Sequence, residues 1–383
     1  MKRPKIAIIS EIPTPYRQPV FQKLIHSPKF EFHVFYLNKH QRDRTWDLQI
    51  GDSIRITYLQ SFQWNLYGVH TFYLTKGIQQ VTGPFFDSYI IGGYAQPAMF
   101  CILRHCWKKQ IPYTMVTESH FKKPRSRFRT FIKNSYLRKV YHRSRVNLVT
   151  SSFAKEYVIS YGADPKKIFL TPNSIDGPQY SEKVMNLRKK KEEVKNKYRI
   201  RFKDVILFVG TLHARKGVDL LYESFVQLAN EFHDLGMILV GEGPMRNKLE
   251  ERIKSDHLSA RVTLAGFIQE DELPNFYAMG DLFVLPSREE PFGAVICEAA
   301  AAGLPILSSS AVGANADFVI PGQNGEIFHI SHPDELTDRL RSFFVNRSPL
   351  ERMGKASSQI MNRWSHDYIA EQYFKAAEVS LIS

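Results

Sequence analysis

Residues 287–307, SREEPFGAVICEAAAAGLPIL, are the most informative part of the sequence. The apolar run 281–285 precedes them and predicts a strand, and the small residues 294–302 predict a helix. Glu290 stands directly before a Pro-Phe-Gly turn, and Glu298 stands two helical turns further on. A strand, a tight turn and a helix start leave free backbone N–H groups, which suit an anion. The stretch therefore predicts an anion site at the turn.

The spacing of the two glutamates indicates the shape of the ligand. One carboxylate before the turn and one inside the helix can bind hydroxyl groups at the two ends of a single molecule. A nucleotide sugar has that shape, because it consists of a sugar, a diphosphate and a ribose. The alternative is a pair of surface glutamates on an ordinary alanine-rich helix.

Length and composition predict an enzyme of two or three domains. The chain has 383 residues, and a domain holds roughly 150. No apolar run approaches the ~20 residues that a membrane helix needs. The N-terminus is basic and then apolar, but its apolar run stops after four residues, so it predicts a first strand and not a signal peptide. Three cysteines without metal-type spacing predict a reducing, cytoplasmic setting.

Positive charge is concentrated in two segments. Residues 122–145 contain ten Lys or Arg and no acid, and residues 183–203 contain ten Lys or Arg and two glutamates. Together they exceed the chain's net charge of +14, so the remainder is slightly acidic. Localised charge indicates an anionic partner. Apolar residues recur at helical spacing in the first segment: Phe128, Phe131, Ile132, Tyr136, Val140 and Tyr141.

Two interpretations of this first basic segment stay open. It is either a core helix with a solvated basic face or a helix that lies against anionic lipid. Nucleic acid is a third option, but the sequence contains no nucleic-acid-binding motif that supports it, and we expect none to bind.

Short apolar strands alternate with helices along the whole chain, which predicts an α/β fold with parallel sheets covered on both faces. The predicted strands of the first half are 5–9, 30–37, 88–92, 113–117, 146–151 and 168–171. Those of the second half are 205–209, 237–241, 262–265, 282–285 and 305–308. We therefore predict a first domain over 1–177, a basic linker over 178–203, a second domain over 204–363 and a closing helix within 364–383.

Two cations follow the first strand of the predicted second domain. The strand ends at Gly210, Thr211 follows, and the loop then carries Arg215 and Lys216 before a helix starts near Val218. Two cations beside a helix N-terminus can neutralise a diphosphate leaving group. The alternative is a capped turn whose basic side chains face solvent.

Two further loops follow strands of the same domain. Gly241 and Gly243 do not form a dinucleotide-binding fingerprint, because the third glycine is missing. The loop with Phe267 and Ile268 can hold a nucleobase by backbone contacts. Each of the two loops can instead be a simple connecting turn.

Taken together, these motifs resemble the signature of the retaining glycosyltransferases of family four, which have the GT-B fold. The resemblance implies two Rossmann-like domains facing across a cleft, with a last helix that crosses back to the first domain. It implies that Glu290 contacts the donor sugar and that Glu298 binds the ribose. The other donor-binding positions that it implies are Phe292, Gly293, Ala294, Gly210, Thr211, Gly241, Gly243, Phe267 and Ile268.

The sequence departs from the family pattern at three positions. Thr211 stands where many members have Arg, so that Arg215 can be the replacement cation. In the loop 311–317, Ala314 replaces the commoner second glycine and Asp317 replaces the commoner Glu. A smaller cavity opening or an altered backbone angle is expected there.

The first domain carries the implied acceptor residues. The loop after its first strand resembles a variant seen in some members, and Tyr16 and Arg17 are the expected acceptor contacts, although a proline-stiffened loop is the alternative. His120 follows the strand 113–117, where many members have a His that contacts the donor sugar. Some members use a Glu close by, which would make Glu118 that residue.

The resemblance implies transfer of a sugar, with retention, from a nucleotide sugar to a hydroxyl of a glycan or a lipid-linked acceptor. UDP-sugars are expected in preference to GDP-sugars. No metal or other cofactor is expected, because no Asp-x-Asp motif is present and Arg215 and Lys216 can meet the diphosphate charge. Surface polysaccharide or glycolipid synthesis at the inner face of the membrane is the expected setting. A non-catalytic nucleotide-sugar-binding subunit and a nucleotide-sugar epimerase are the alternatives.

Overall fold

The chain is described by a computed structural model over residues 3–39, 55–66, 70–119, 127–173 and 175–382. It divides into two compact units. Unit 1 consists of Met1–Asn173 together with His366–Ser383, and unit 2 consists of Ser174–Ser365.

Unit 1 alternates strands and helices along most of its length. Its strands are β1 (Lys5–Ser10), β2 (Glu31–Tyr36), β3 (Ile56–Tyr58), β4 (Ser61–Leu66), β5 (His70–Thr75), β6 (Ser88–Gly92), β7 (Tyr113–Thr117), β8 (Val146–Val149) and β9 (Ile168–Leu170). Its helices are α1 (Gln18–Ile25), α2 (Gln79–Thr82), α3 (Pro97–Lys109), α4 (Arg127–Arg143), α5 (Ser152–Ser160) and, at the end of the chain, α15 (His366–Leu381).

The main sheet of unit 1 has the strand order β3-β2-β1-β6-β7-β8-β9, and all its pairs are parallel. Successive side chains of a strand point to opposite faces. Ile6 and Ile8 of β1 accordingly pack with α1 and α15, whereas Ala7 and Ile9 pack with α3, α4 and α5. The sheet is thus covered by helices on both faces, as the apolar strands require.

The last helix belongs to unit 1, as the family resemblance implied. Ile369, Tyr373 and Ala377 of α15 are buried beside α1, and the ring of Tyr373 meets Phe21 edge to face at 5.9 Å between centroids. The last helix therefore completes a core formed by β1, β2, α1 and strands β6, β7 and β8 of unit 1.

Unit 2 repeats the same architecture. Its strands are β10 (Asp204–Val209), β11 (Leu235–Val240), β12 (Val262–Gly266), β13 (Leu282–Leu285), β14 (Ile306–Ser309) and β15 (Gly325–Phe328). Its helices are α6 (Gly177–Arg188), α7 (Lys191–Lys197), α8 (Val218–Ala229), α9 (Arg246–Ser255), α10 (Leu273–Met279), α11 (Ala294–Ala301), α12 (Asn315–Phe318), α13 (Pro333–Val345) and α14 (Ser348–Met361). The parallel sheet has the order β12-β11-β10-β13-β14-β15. The predicted α/β class with parallel sheets is therefore confirmed.

Four strands were not predicted. β3 and β15 are short edge strands of three and four residues, and so short a segment carries little periodic signal. β4 and β5 form a separate antiparallel hairpin, which lies outside the βα alternation that guided the prediction.

The basic segment 178–203 differs from the linker that the sequence predicted. Most of it forms α6 and α7, which lie within unit 2 and pack against α10 and α11. The reason is that Val184 and Val194 supply an apolar side to these charged helices and are buried. Among the described residues of the chain, no helix is both long and apolar enough to cross a membrane.

Candidate functional site

The sheet of unit 2 has a topological switch point between β10 and β13. From β10 the chain proceeds outward to β11 and β12, whereas from β13 it proceeds in the opposite direction to β14 and β15. The loops that follow β10 and β13 therefore diverge from adjacent strands at the carboxyl edge. In open parallel sheets this is where ligands bind.

The loop after β10 presents Arg215 and Lys216 at the start of α8. A 3-10 turn over Ala214–Lys216 is capped by His213, whose Nδ1 accepts the N–H of Arg215 at 3.0 Å. Gly217 then adopts a φ of +70°, and a Cβ there would lie 1.9 Å from the carbonyl oxygen of Pro286. Only glycine fits this position. The missing side chain lets the turn with Arg215 and Lys216 pack directly against the residue that follows β13.

The loop after β13 presents Glu290 and is held by the loop after β14. The N–H of Glu290 donates to the carbonyl of Ala311 at 3.1 Å, and its own carbonyl accepts the N–H of Gly313 at 3.0 Å. Phe292 is buried against Phe318, with ring centroids 6.2 Å apart. The Pro-Phe-Gly turn thus anchors the carboxylate through backbone bonds and one aromatic side chain.

The structure brings Lys216 and Glu290 into direct contact. Nζ of Lys216 donates to Oε2 of Glu290, and the two side chains are only 13% and 10% exposed. Nη1 of Arg215 lies 4.0 Å from the same carboxylate oxygen and donates to the carbonyl of Glu289 at 2.8 Å. A buried carboxylate is therefore flanked by two cations beside a helix N-terminus.

Arg288 joins the two loops and was not singled out from the sequence. Its guanidinium donates to both carboxylate oxygens of Asp219, at 2.7 and 2.8 Å, and to the carbonyl of Ala214 at 2.6 Å. Its backbone N–H donates to the carbonyl of Arg215 at 2.8 Å. Burial alone would raise the pKa of Asp219, but the hydrogen bonds and charge of Arg288 lower that pKa below its ordinary value. This bidentate pair holds the cationic turn against the Glu290 loop.

The loops after β10, β11 and β12 lie side by side. The N–H of Gly241 donates to the carbonyl of Gly266 at 2.8 Å, and a Cβ on Gly241 would lie 2.0 Å from the carbonyl oxygen of Gly210. Gly243 is equally constrained, because a Cβ there would lie 2.4 Å from the carbonyl oxygen of Leu212. These glycines thus permit close backbone packing at the carboxyl edge.

The remaining predicted positions on this edge are more exposed. Thr211 is exposed, and its carbonyl accepts the N–H of His213 at 2.8 Å. Phe267 is 45% exposed, and Ile268 is half-buried. An exposed aromatic side chain beside a backbone loop suits contact with a planar ring, so a nucleobase contact remains the prediction for this loop.

Glu298 is buried in α11 and does not point freely into solvent. Its Oε2 accepts the hydroxyl of Tyr277, from α10, at 2.8 Å. Burial raises the pKa of Tyr180, from α6, and the charge of Glu298 raises it further. Tyrosines on two neighbouring helices thus lie close to this carboxylate. The contact of Glu298 with a ribose stays a prediction.

The local backbone accounts for Ala294, a predicted donor-binding position, and for Ala314, a departure from the family pattern. Ala294, the first residue of α11, follows Gly293, whose φ of +93° favours glycine. Ala314 has an ordinary right-handed conformation, with φ −69° and ψ −17°, and its N–H donates to the carbonyl of Phe292 at 2.8 Å. The backbone at Ala314 therefore does not need a second glycine, and Asp317 lies in the first turn of α12.

In unit 1, Arg17 connects three loops at the carboxyl edge of the sheet. It follows β1, pairs with Glu118 after β7, and donates from Nε to Oδ1 of Asn173, after β9, at 3.1 Å. Burial opposes the charge of Arg17, yet Glu118 and further groups raise its pKa above the ordinary value. Tyr16 beside it is half-buried. His120 lies outside the described residues.

Among the described residues, no group of three or more His, Cys, Asp or Glu side chains is placed to hold a metal ion.

Two protein-family models match the chain. The model of the glycosyl transferases group 1 matches residues 190–360, and the model of Glycosyltransferase Family 4 matches residues 67–177.

Curated relatives and solved structures agree with these matches. Spore coat protein SA of Bacillus subtilis (strain 168) is 33% identical over 175 residues, or 44% of this chain and 46% of the relative. Alpha-D-kanosaminyltransferase of Streptomyces kanamyceticus is 28% identical over 171 residues, or 45% of this chain and 44% of the relative. The chain thus spans somewhat less than half the length of these curated relatives. The crystal structure of Anabaena HepE in complex with UDP has a TM-score of 0.72 at 17% identity, covering 98% of this chain and 100% of HepE.

Two parallel α/β units and the likeness to HepE define the fold as GT-B. Together with the fold, the two family matches support a glycosyltransferase of the group 1, family-four type.

Replacing Arg288 by Ala should separate the two loops that carry Lys216 and Glu290. We expect donor turnover to fall about tenfold to a hundredfold, because a displacement of about 1 Å at a reacting group costs on the order of a hundredfold. The measurement is the initial rate of nucleotide release from a nucleotide sugar. Arg341→Ala is the matched control, since Arg341 forms a similar two-bond pair with Glu231 elsewhere in unit 2. Equal losses in the two variants would contradict a specific role for Arg288.

Proposed function

We propose that this chain is a retaining glycosyltransferase that moves a sugar from a nucleotide sugar to a hydroxyl of a glycan or lipid-linked acceptor. The observation that carries the proposal is the buried contact between Lys216 and Glu290 at the switch point of unit 2. The cation can bind the diphosphate of a nucleotide sugar, and the neighbouring carboxylate can bind hydroxyls of its sugar. Surface polysaccharide or glycolipid synthesis is the proposed setting.

The reaction breaks the bond between the anomeric carbon and the diphosphate oxygen and forms a bond from that carbon to the acceptor oxygen, whose proton passes to the departing diphosphate. Negative charge then develops on the departing diphosphate. Lys216, Arg215 and the N-terminus of α8 lie together and can stabilise this charge. We therefore propose that the leaving group departs without help from a metal ion.

Glu290 has a second role in this proposal. Without a ligand its carboxylate is held by Lys216. When a diphosphate takes the Lys216 contact, the carboxylate is released to accept hydrogen bonds from hydroxyls of the donor sugar. Lys216 thus holds the carboxylate in place until the donor arrives.

A UDP-sugar is the proposed donor, in preference to a GDP-sugar. The support is that HepE, which has the same fold, was crystallised with UDP. Glu298 is the proposed ribose contact. Phe267, Ile268 and the glycine-lined loops after β10 and β11 are the proposed contacts of the base and phosphates. The proposed acceptor residues in unit 1 are Tyr16, Arg17 and Glu118, with Arg17 fixing the position of Glu118.

A donor panel tests the proposed reaction. We expect UDP and a UDP-sugar, but not GDP or ADP forms, to raise the melting temperature, since a ligand at a hundred times its Kd adds about 2.7 kcal/mol of stability. Slow release of UDP from the UDP-sugar should accompany binding. Stabilisation by GDP alone would overturn the donor assignment. Binding without any cleavage or transfer would favour a binding subunit, and an epimerised free sugar would favour an epimerase.

Replacing Glu290 by Ala should abolish transfer and leave UDP binding intact, because Lys216 then loses its competing carboxylate. Glu298→Ala should mainly weaken UDP affinity. Titration calorimetry with UDP and a transfer assay separate the two effects. Glu289→Ala is the control, since it removes an adjacent and exposed glutamate. Wild-type turnover in both Glu290→Ala and Glu298→Ala would show the site assignment to be wrong.

Replacing both Arg215 and Lys216 by Ala should cost several kcal/mol of transition-state stabilisation, by analogy with the loss of about 3–4 kcal/mol for each oxyanion donor. Adding EDTA to the wild type should change the rate little. Lys248→Ala together with Lys254→Ala removes two exposed cations from α9 as a control. A strict requirement for added magnesium or manganese would refute metal-independent departure.

We also propose that the protein works as a peripheral protein on the cytoplasmic face of the cell membrane, where lipid-linked acceptors would be available. The support is the concentration of positive charge in residues 122–145.

A further inference from the structure

We propose that the outer side of α4, together with the end of α5, is a docking surface for anionic phospholipid headgroups. This docking surface consists of Phe131, Arg138, Lys139, His142 and Arg143 of α4 and residues 159–162 at the end of α5. The inference rests on the peripheral location proposed above and adds which residues make the contact and what they bind.

α4 has a clear inner and outer side. Leu137, Val140 and Tyr141 are almost fully buried and belong to the core of unit 1. Phe131 is 73% exposed, and Arg138 is also exposed. The core-helix interpretation of this segment is therefore correct for one side of the helix, and the other side is available to a partner.

An aromatic ring and basic groups share the outer side. Phe131, Arg138 and His142 are spaced by seven and four residues, which places them along one stripe of the helix. Lys139 and Arg143 flank this stripe, and their charged ends lie 4.5 and 5.8 Å from the ring centre of Trp107. Basic residues and an exposed Phe are residue types that helices at a membrane interface carry.

The basic groups also line a cavity that suits a phosphate headgroup. Its volume is about 600 Å³. α4 contributes Arg138, Lys139, His142 and Arg143, and the end of α5 contributes Ile159, Ser160, Tyr161 and Gly162. Ile159 is 36% exposed, so an apolar side chain borders the cations on this side too.

Within the described part of the chain, no carboxylate lines this cavity. The acids of the neighbouring segment are Glu156, which is exposed on α5, and Asp164, whose carboxylate accepts the N–H of Lys166 at 3.0 Å. The described residues offer Arg138, Lys139 and Arg143 no ion-pair partner. Their charge is therefore available to an anion from outside.

The second basic segment, residues 183–203, provides an internal comparison. There Lys191 pairs with Asp281 at 2.7 Å, Lys195 with Glu192 at 3.4 Å and Lys197 with Glu272 at 3.3 Å. Three of the ten basic residues of 183–203 are thus paired with acids of unit 2, whereas Arg138, Lys139 and Arg143 of α4 have no such acid among the described residues. We therefore assign the lipid contact to α4 and not to the segment 183–203.

Vesicle sedimentation of the full chain tests the docking surface. We expect binding to vesicles of phosphatidylglycerol and phosphatidylcholine at low salt, little binding to phosphatidylcholine alone, and release at high salt. Each Lys or Arg near an anionic surface contributes about a fivefold factor in affinity. Arg138→Glu combined with Arg143→Glu should therefore weaken binding at least about 25-fold. Phe131→Ser should weaken it several-fold at unchanged charge.

Lys248→Glu combined with Lys254→Glu on α9 is the control of equal charge change, and it should bind vesicles nearly as the wild type does. Thermal unfolding and donor cleavage in solution show whether each variant is folded. No vesicle binding by the wild type at low salt, or an equal loss in the control, would overturn the docking surface. Tighter binding to an RNA oligonucleotide, with no effect of Phe131→Ser on vesicles, would overturn it in favour of nucleic acid. Because vesicle binding is read without any reaction, failure of the proposed transfer would be seen separately.

Discussion

The contact between Lys216 and Glu290 is the constraint on which the candidate site depends. A buried charge is tolerated only when a partner and hydrogen bonds offset the loss of water, and removing one partner of such a pair typically costs about 3–5 kcal/mol. The two residues are 74 positions apart, so the fold must bring their loops together. Three features bring these loops together: the adjacency of β10 and β13, the glycine at 217 and the Arg288–Asp219 pair. A negatively charged ligand that takes the Lys216 contact must therefore also offer hydrogen bonds to the released Glu290 carboxylate, as the hydroxyls of a sugar can.

Local sequence signals predicted much of the fold and part of the site. The strand, turn and helix around Glu290 could be predicted because they are contiguous and each has its own periodicity or turn chemistry. The strand alternation likewise predicted the parallel sheets of both units. The short strands β3 and β15 and the β4–β5 hairpin lacked such a signal, because few residues and no βα repeat mark them.

Partners distant in sequence could not be predicted. Nothing in the sequence shows that Arg288 reaches Asp219, that Tyr277 donates to Glu298, or that Asn173 accepts from Arg17. Each contact joins loops or helices that follow different strands, so it exists only once the strand order is fixed. A charged residue between the strand end and Glu290, together with an acid in the first turn of α8, is the weak signal that was available for the Arg288 pair.

The two basic segments also show that pairing between distant residues cannot be predicted from composition. Two segments with ten basic residues each look alike in sequence, yet the structure treats them differently. In 183–203, α6 and α7 pack beside α10, whose flanking acids Glu272 and Asp281 neutralise Lys197 and Lys191. On α4, Leu137, Val140 and Tyr141 turn inward, and the cations lie beside Phe131 and Trp107 without a carboxylate from the described residues. The positive charge of a segment therefore indicates an anionic partner only when its basic residues are not already paired with acids of the same chain. Which of them are paired can be seen only in the tertiary structure.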